Sequence, residues 1–304
     1  MQLLPKFRDW RSLWIVPLIV AVSGLPDGRA ARAQVATFST GVNLIEVYAT
    51  VSDRDGAPVT GLTAADFTLT EDGVRQPITA FTAGEFPLSV TIAIDRSFSM
   101  SGTRLERSKQ AARGFINALK PTDEVMVLAI GSEIETITPP VPARQAASTR
   151  WEAIDAWGTT PLYDATMQAL DAIQTRQGRR ALVLISDGAD KGSVTTAAEL
   201  LEHARESAVL VYPVAIGGTR PPVFSELANA TGGRSFFVEA PNRLEAQLAT
   251  LARELRFQYL LGYSPTPPRP DEAGRAAAPE WRSIEVKVSK PDVRVRARDG
   301  YFAR

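Results

Sequence analysis

Apolar positions along this chain change their spacing twice. Early on, Val42, Leu44, Ile45, Val47 and Val51 lie in a strand-like run that stops at the turn signal Asp53-Arg54-Asp55-Gly56. Phe67-Thr68-Leu69-Thr70 alternates, Glu71-Asp72-Gly73 offers a hairpin turn, and Ile78-Thr79-Ala80-Phe81 reads as the return strand. No helical period appears in this part. From Leu88 onward, short apolar runs alternate with helix-spaced ones. The strand-like runs are Leu88 to Ile94, Glu124 to Ile130, Ala181 to Ile185, Val209 to Ile216 and Ser235 to Val238. The helix-like runs are Arg104 to Leu119, Leu162 to Ile173, Ala197 to Ser207, Phe224 to Ala230 and Leu244 to Phe257. The tail returns to strands, with Phe257 to Tyr263, then Ile284, Val286 and Val288, and then Val293 and Val295. A Pro/Ala-rich stretch from Ser264 to Pro279 interrupts it and reads as a flexible loop.

Alternating strands and helices with short links predict an α/β fold, a mostly parallel sheet covered by helices on both faces. The chain's 304 residues suit about two domains. The predicted boundaries are an export segment at 1–33, a first β part at 35–86, the α/β domain at 87–258 and a second β part at 259–304. Each β flank is short of strands for a sheet stable in water, so the two are expected to join in one smaller, sandwich-like domain.

The formal net charge is zero and no dense Lys/Arg stripe is present, which argues against a nucleic-acid partner. There is no Cys, which removes zinc-thiolate sites, disulfides and a cysteine nucleophile. The one His, His203, lies in a helix-like run with no Ser or Asp motif pointing at it. Lys6, Arg8 and Arg11 precede the apolar stretch Leu13 to Val22, and Ala31-Arg32-Ala33 fits a cleavage site before Gln34. The expectation is an exported protein of the periplasm, cell envelope or medium. An uncleaved N-terminal anchor is the alternative, and the only membrane association foreseen.

The chemistry concentrates at strand ends. The run Leu88-Ser89-Val90-Thr91-Ile92-Ala93-Ile94 ends in Asp95-Arg96-Ser97-Phe98-Ser99. Ala181-Leu182-Val183-Leu184-Ile185 ends in Ser186-Asp187-Gly188. If these strands are neighbours, both carboxylates meet at one rim of the sheet, where open α/β sheets bind ligands. Between them, Gly158-Thr159-Thr160-Pro161-Leu162-Tyr163-Asp164-Ala165 reads as a loop entering a helix. Carboxylates and hydroxyls are hard oxygen donors suited to Mg2+, Mn2+ or Ca2+. Taken alone, Asp-x-Ser-x-Ser is more often a helix cap.

With the three segments together and in order, the region from about Leu88 to about Phe257 resembles the von Willebrand factor type A domain. The flanking β segments resemble those of secreted bacterial proteins built around that domain. The resemblance implies a six-stranded Rossmann-like sheet and a metal-ion-dependent adhesion site. It implies that Ser97 and Ser99 ligate the ion through their hydroxyls, and that Thr160 does so in at least one state. Asp95 and Asp187 would lie close to the ion, often holding it through water, and a partner protein would supply an Asp or Glu carboxylate. The family often has Gly-Gly-Thr where this chain has Gly158-Thr159-Thr160, and Thr160 is the preferred ligand because it directly precedes Pro161.

The leading expectation is a non-catalytic, metal-dependent adhesion module. Two other readings stand beside it: an envelope scaffold with a structural or vestigial metal site, and a hydrolase, which no Gly-x-Ser-x-Gly elbow supports. Asp190 is expected as a solvated loop carboxylate, Asp53 and Asp55 as a plain turn, and Trp151 and Trp157 as helix-packing residues. Phe98 is expected as an exposed contact residue between the two hydroxyls.

Overall fold

A computed structural model describes residues 44–265 and 280–303. The proposed export segment lies outside the described residues. In chain order the first flank holds β1 (Ile45–Ser52), β2 (Phe67–Glu71), β3 (Val74–Gln76) and β4 (Ala80–Gly84). The middle runs β5 (Leu88–Asp95), α1 (Thr103–Ala118), β6 (Glu124–Ile130), β7 (Ile134–Pro142), α2 (Ala143–Ala146), α3 (Leu162–Gln174), β8 (Arg179–Ser186), α4 (Ala197–Glu206), β9 (Val209–Ile216), α5 (Pro222–Thr231), β10 (Phe236–Val238) and α6 (Leu244–Glu254). The tail adds β11 (Gln258–Tyr263), β12 (Glu280–Val288), β13 (Arg294–Arg296) and β14 (Gly300–Ala303).

The middle builds a six-stranded sheet in the order β10-β9-β8-β5-β6-β7, parallel except for the edge strand β7. All eight residues of β5 are buried, as expected for a central strand covered on both faces. Alternate strand residues serve opposite layers. Val90, Ile92, Ile94, Val183 and Ile185 pack with Leu105 and Phe115 of α1 and with Leu248 and Leu251 of α6. Ala93, Leu182 and Leu184 pack instead with Leu170 of α3, Leu200 of α4 and Phe224 of α5. The α/β fold with helices on both faces is therefore as the sequence predicts.

From β5 the chain builds β6 and β7 on one side, then crosses to build β8, β9 and β10 on the other. The order reverses between β5 and β8, the kind of point at which open α/β sheets bind their ligands.

The flanks form two four-stranded sheets, β13-β1-β11-β4 and β14-β12-β2-β3. Each combines strands from both ends of the chain: β1 pairs with β11, and β2 pairs with β12. Val47, Ala49, Tyr259 and Leu261 of the first sheet share one core with Phe67, Leu69, Ile284 and Tyr301 of the second. A buried carboxylate lies in this core. Glu71 accepts hydrogen bonds from the Tyr263 hydroxyl at 2.6 Å, the Tyr301 hydroxyl at 2.9 Å and Arg282 at 2.8 Å.

Three expectations need correction. The return strand of the first hairpin is β3, directly after Asp72-Gly73, and not Ile78–Phe81. Asp72 and Gly73 both have positive φ, at 49° and 78°, and such a two-residue turn reverses the chain at once. Ala80 and Phe81 belong to β4, which pairs with β11 in the other sheet. The edge strand β7 escaped the sequence pattern because it contains Pro139, Pro140 and Pro142. An edge strand tolerates proline because one of its sides has no ladder to complete. The last helix ends at Glu254 rather than Phe257, leaving three residues before β11.

Candidate functional site: an oxygen-lined rim at the strand crossover

The register of β5 and β8 builds the site. Ile94 lies opposite Ile185, so Asp95 comes level with Ser186, and Asp187 sits one residue beyond the strand end. Asp95 is fully buried and is the hub of the rim. Its Oδ1 accepts the Ser97 backbone N–H at 2.8 Å and the Thr160 hydroxyl at 3.1 Å. Its Oδ2 accepts the Ser186 hydroxyl at 2.5 Å. Ser186 Oγ in turn accepts the Gly188 N–H at 2.9 Å, which ties the β8 loop to the hub. Burial raises the Asp95 carboxyl above the usual carboxylate range, the bonds from Ser186 and Ser97 oppose that rise, and the nearby Asp187 charge adds to it.

Around the hub, Ser97 and Thr160 are buried while Ser99 faces solvent. Ser97 Oγ and Ser99 Oγ are 3.1 Å apart. Thr159 is exposed and Thr160 alone reaches Asp95, so Thr160 is the threonine of this site. Asp187 is partly buried, and its Oδ2 lies 4.0 Å from Arg104. Arg104 also donates to the Ser99 carbonyl at 3.0 Å. The five sequence-predicted residues Asp95, Ser97, Ser99, Thr160 and Asp187 thus gather at one rim.

The loops are held by specific residues. Gly158 has φ of +78°, and a Cβ there would meet Ser132 Oγ at 2.4 Å. Gly188 has φ of +80°, and a Cβ there would lie 2.0 Å from the Pro221 ring. Both positions need glycine, for conformation and for space. The amino end of α3, just after Thr160, has no cap of its own. Asp190 and Ser193 supply one, each accepting the Tyr163 N–H at 3.1 Å. Asp190 is therefore a helix cap rather than the solvated carboxylate expected. Lys191 N–H bonds the Thr160 carbonyl at 2.7 Å, so this loop fixes the threonine from both sides.

Aromatic side chains frame the rim. Phe98 is 66% exposed, as expected. Trp151 is buried in the core under α1, but Trp157 is 46% exposed and does not pack a helix. The Arg96 guanidinium lies 5.5 Å over its ring, and its backbone N–H bonds the Arg96 carbonyl at 2.7 Å. The neighbouring Phe98 N–H bonds the Gly158 carbonyl at 3.1 Å. Beside the rim opens a cleft of about 590 Å3, lined by Arg104, Tyr163, Asp187, Pro221, Val223 and Glu226. Sequence reasoning missed Ser186, Arg104 and Trp157 as parts of this site. Ser186 carried a signal, since it immediately precedes the strand-end carboxylate.

The donor set fits a hard cation. Two oxygens bound to one ion at about 2.1 Å in an octahedral, adjacent arrangement lie about 3 Å apart. The Ser97–Ser99 and Thr160–Asp95 oxygen pairs have that spacing. Among the described residues there is no group of three or more Asp, Glu or His side chains able to hold a metal. A cation at this rim would rely on hydroxyls together with Asp95 and Asp187.

Comparison with known proteins agrees with the architecture. A family model for the von Willebrand factor type A domain matches residues 90–189, the stretch from β5 through the Ser186-Asp187-Gly188 loop. A von Willebrand factor type A structure from Catenulispora acidiphila is similar over 86% of this chain and 72% of its own, with 14% identity and a TM-score of 0.50. Proximal thread matrix protein 1 from the mussel byssus is similar over 61% of this chain and 51% of its own, with 12% identity and a TM-score of 0.50. No curated protein matches the chain in sequence. The matched motifs, the sheet order and the shared fold lead to one conclusion: the chain carries a von Willebrand factor type A domain, matched over residues 90–189, a domain type that commonly mediates protein–protein interaction.

Proposed function

We propose that this chain is an exported, non-catalytic binding module whose rim holds a divalent cation, Mg2+ in the first instance or Mn2+ or Ca2+, and through it a carboxylate of a partner protein. The observation that carries the reading is the buried Asp95 hub with three hydroxyls at the strand crossover. Ser97, Ser99 and Thr160 would hold the ion, with Asp95 and Asp187 supplying negative charge. The ion, when bound, supplies a Lewis-acidic position open to an anionic ligand, because most of its protein donors are neutral.

The chain's own residues prepare the contact. Asp95 is fixed by three donors, which aligns the Ser97 loop before any ligand arrives. Phe98 and Trp157 offer aromatic surface beside the polar centre, the residue types that most often anchor protein interfaces. The cleft lined by Tyr163, Pro221 and Val223 gives room for the partner's chain next to its carboxylate. His203, the only histidine, pairs with Asp171 at 2.8 Å on the helical layer. Among the described residues, no helix is long and apolar enough to cross a membrane.

One observation favours a scaffold without an ion in use. Both Asp95 oxygens already accept hydrogen bonds within the protein, so the rim is satisfied as it stands. A pull-down from an envelope extract separates the readings. The binding module retains a partner in Mg2+, releases it to a chelator, and fails to retain it after Ser97→Ala. A partner that stays through chelation and through Ser97→Ala contradicts the proposal and supports the scaffold.

A further inference from the structure

We propose that a second site binds a small tetrahedral oxyanion, phosphate or sulfate in its chemistry, at the opposite end of the parallel sheet. A cavity of about 80 Å3 opens there, at the amino ends of β8 and β9 where they meet β1. Arg179, Arg180 and Arg298 line it, with Tyr48, Ser207 and Glu46. A space for one water needs roughly 10–15 Å3 on the same scale, so the cavity has room for one such anion and little more.

The charge balance leaves positive charge in excess. Three arginines and one acidic residue, the exposed Glu46, line the cavity. Among the described residues none of these four groups forms an ion pair. Two further carboxylates lie near, and each also serves other arginines; the charge of Asp299 acts on Arg298 as well. Asp299 lies 3.6 Å from Arg205, and Glu254 is bridged by Arg296 at 2.6 Å and Arg234 at 3.7 Å. Buried positive charge without a partner is unfavourable, and an anion removes that penalty.

Donors are also left over. Arg179 is only 1% exposed; it donates to the Leu255 carbonyl and, at 3.0 Å, to Gln258, yet its Nε has no acceptor. Arg180 donates to the Gln174 carbonyl at 2.7 Å, and its buried Nε is likewise unpartnered. Arg298 is tethered by the Gly300 carbonyl at 2.6 Å and the Arg205 carbonyl at 3.3 Å. These tethers hold the guanidinium planes in place before a ligand arrives, and planar forks match phosphate oxygens. Burial lowers the pKa of Arg298; the Asp299 charge and the Tyr263 and Tyr301 phenols oppose that fall, and the neighbouring Arg180 charge adds to it.

Free phosphate and the phosphate of a lipid headgroup share this chemistry, and one experiment with two arms tells them apart. Inorganic phosphate is titrated into the full chain at fixed ionic strength, with a chelator present to keep the metal rim out of play. Saturable binding is expected, displaced by sulfate, and at least tenfold weaker in Arg298→Gln and in Arg180→Gln. In the second arm the protein is sedimented with phosphatidylcholine vesicles with and without phosphatidylglycerol. Arginine-dependent sedimentation with the anionic vesicles supports the site and names the headgroup as its source. Absence of both bindings in the wild-type chain overturns the proposal without reference to any variant. Equal phosphate affinity in wild type and both variants overturns it as well.

Discussion

Asp95→Ala is expected to weaken Mg2+ and Mn2+ binding by about 10–100-fold, the usual cost of removing a carboxylate that orients or supports a metal's ligands. The loss follows from the hub geometry. One substitution removes the acceptor for the Ser97 N–H, the Thr160 hydroxyl and the Ser186 hydroxyl together. Two of the three hydroxyl-bearing residues then lose their alignment, and the rim loses one of its two carboxylates. The fold is expected to persist, because β5 keeps its apolar packing on both faces and a carboxyl disfavoured by burial is removed. Isothermal titration with each metal, beside circular dichroism on the same samples, checks this. Unchanged affinity in a folded variant would remove Asp95 from the site.

The second large effect lies in the flanking sandwich. Glu71→Ala is expected to lower stability by about 3–5 kcal/mol, the range for breaking a buried ionic network by removing one partner. The substitution leaves the Tyr263 and Tyr301 hydroxyls without their acceptor and removes the carboxylate facing Arg282. These residues join β2 of one sheet to β11 of the other, so the loss falls on the seam between the two ends of the chain. Burial, with the Glu71 contact adding to it, pushes the Tyr263 phenol up, and the same causes push Tyr301 up to about 12. A raised folded-state pKa means that this contribution is full below the ordinary phenol value of about 10 and is lost as pH rises through the folded value. Urea unfolding measures both effects. A loss under about 1 kcal/mol at neutral pH would show that the network adds little.

Much of this architecture was legible because the parallel strands are short, apolar and bounded by breakers. The runs Glu124 to Ile130 and Val209 to Ile216 coincide with β6 and β9. Helix α4 follows the helix-spaced run from Ala197, and the structure closes its start with a capping box of Thr196 and Glu199. Elements defined by pairing rather than by period were not legible. β3 is three residues long with no buried position, and only the Asp72-Gly73 turn places it. β7 hides behind its prolines, and only its edge position makes them acceptable.

At the site, the residues that carry motif spacing were found and those that act through a neighbour were not. Ser186 bonds Asp95 only because β5 and β8 align in one register. Trp157 is exposed with the Arg96 guanidinium over its ring, a contact that no local pattern encodes. Asp190 caps a helix that begins 28 positions earlier in the chain, at Leu162, so no local capping rule could assign it. The arginine cavity brings together residues from β1, β8 and the segment before β14, and no motif joins them.

The most direct test of the central claim is the water-proton relaxation of Mn2+ titrated into the protein, before and after excess acetate, with chloride at equal ionic strength as the control. A rim that holds the ion through hydroxyls and leaves a position open predicts a strong enhancement from bound water, a drop when acetate takes that position, and no enhancement in Asp95→Ala at the Mn2+ concentration that half-saturates the wild-type chain. No enhancement in the wild-type chain, or an enhancement that survives Asp95→Ala, would contradict a cation held at this rim, and one that acetate leaves unchanged would contradict the open carboxylate position.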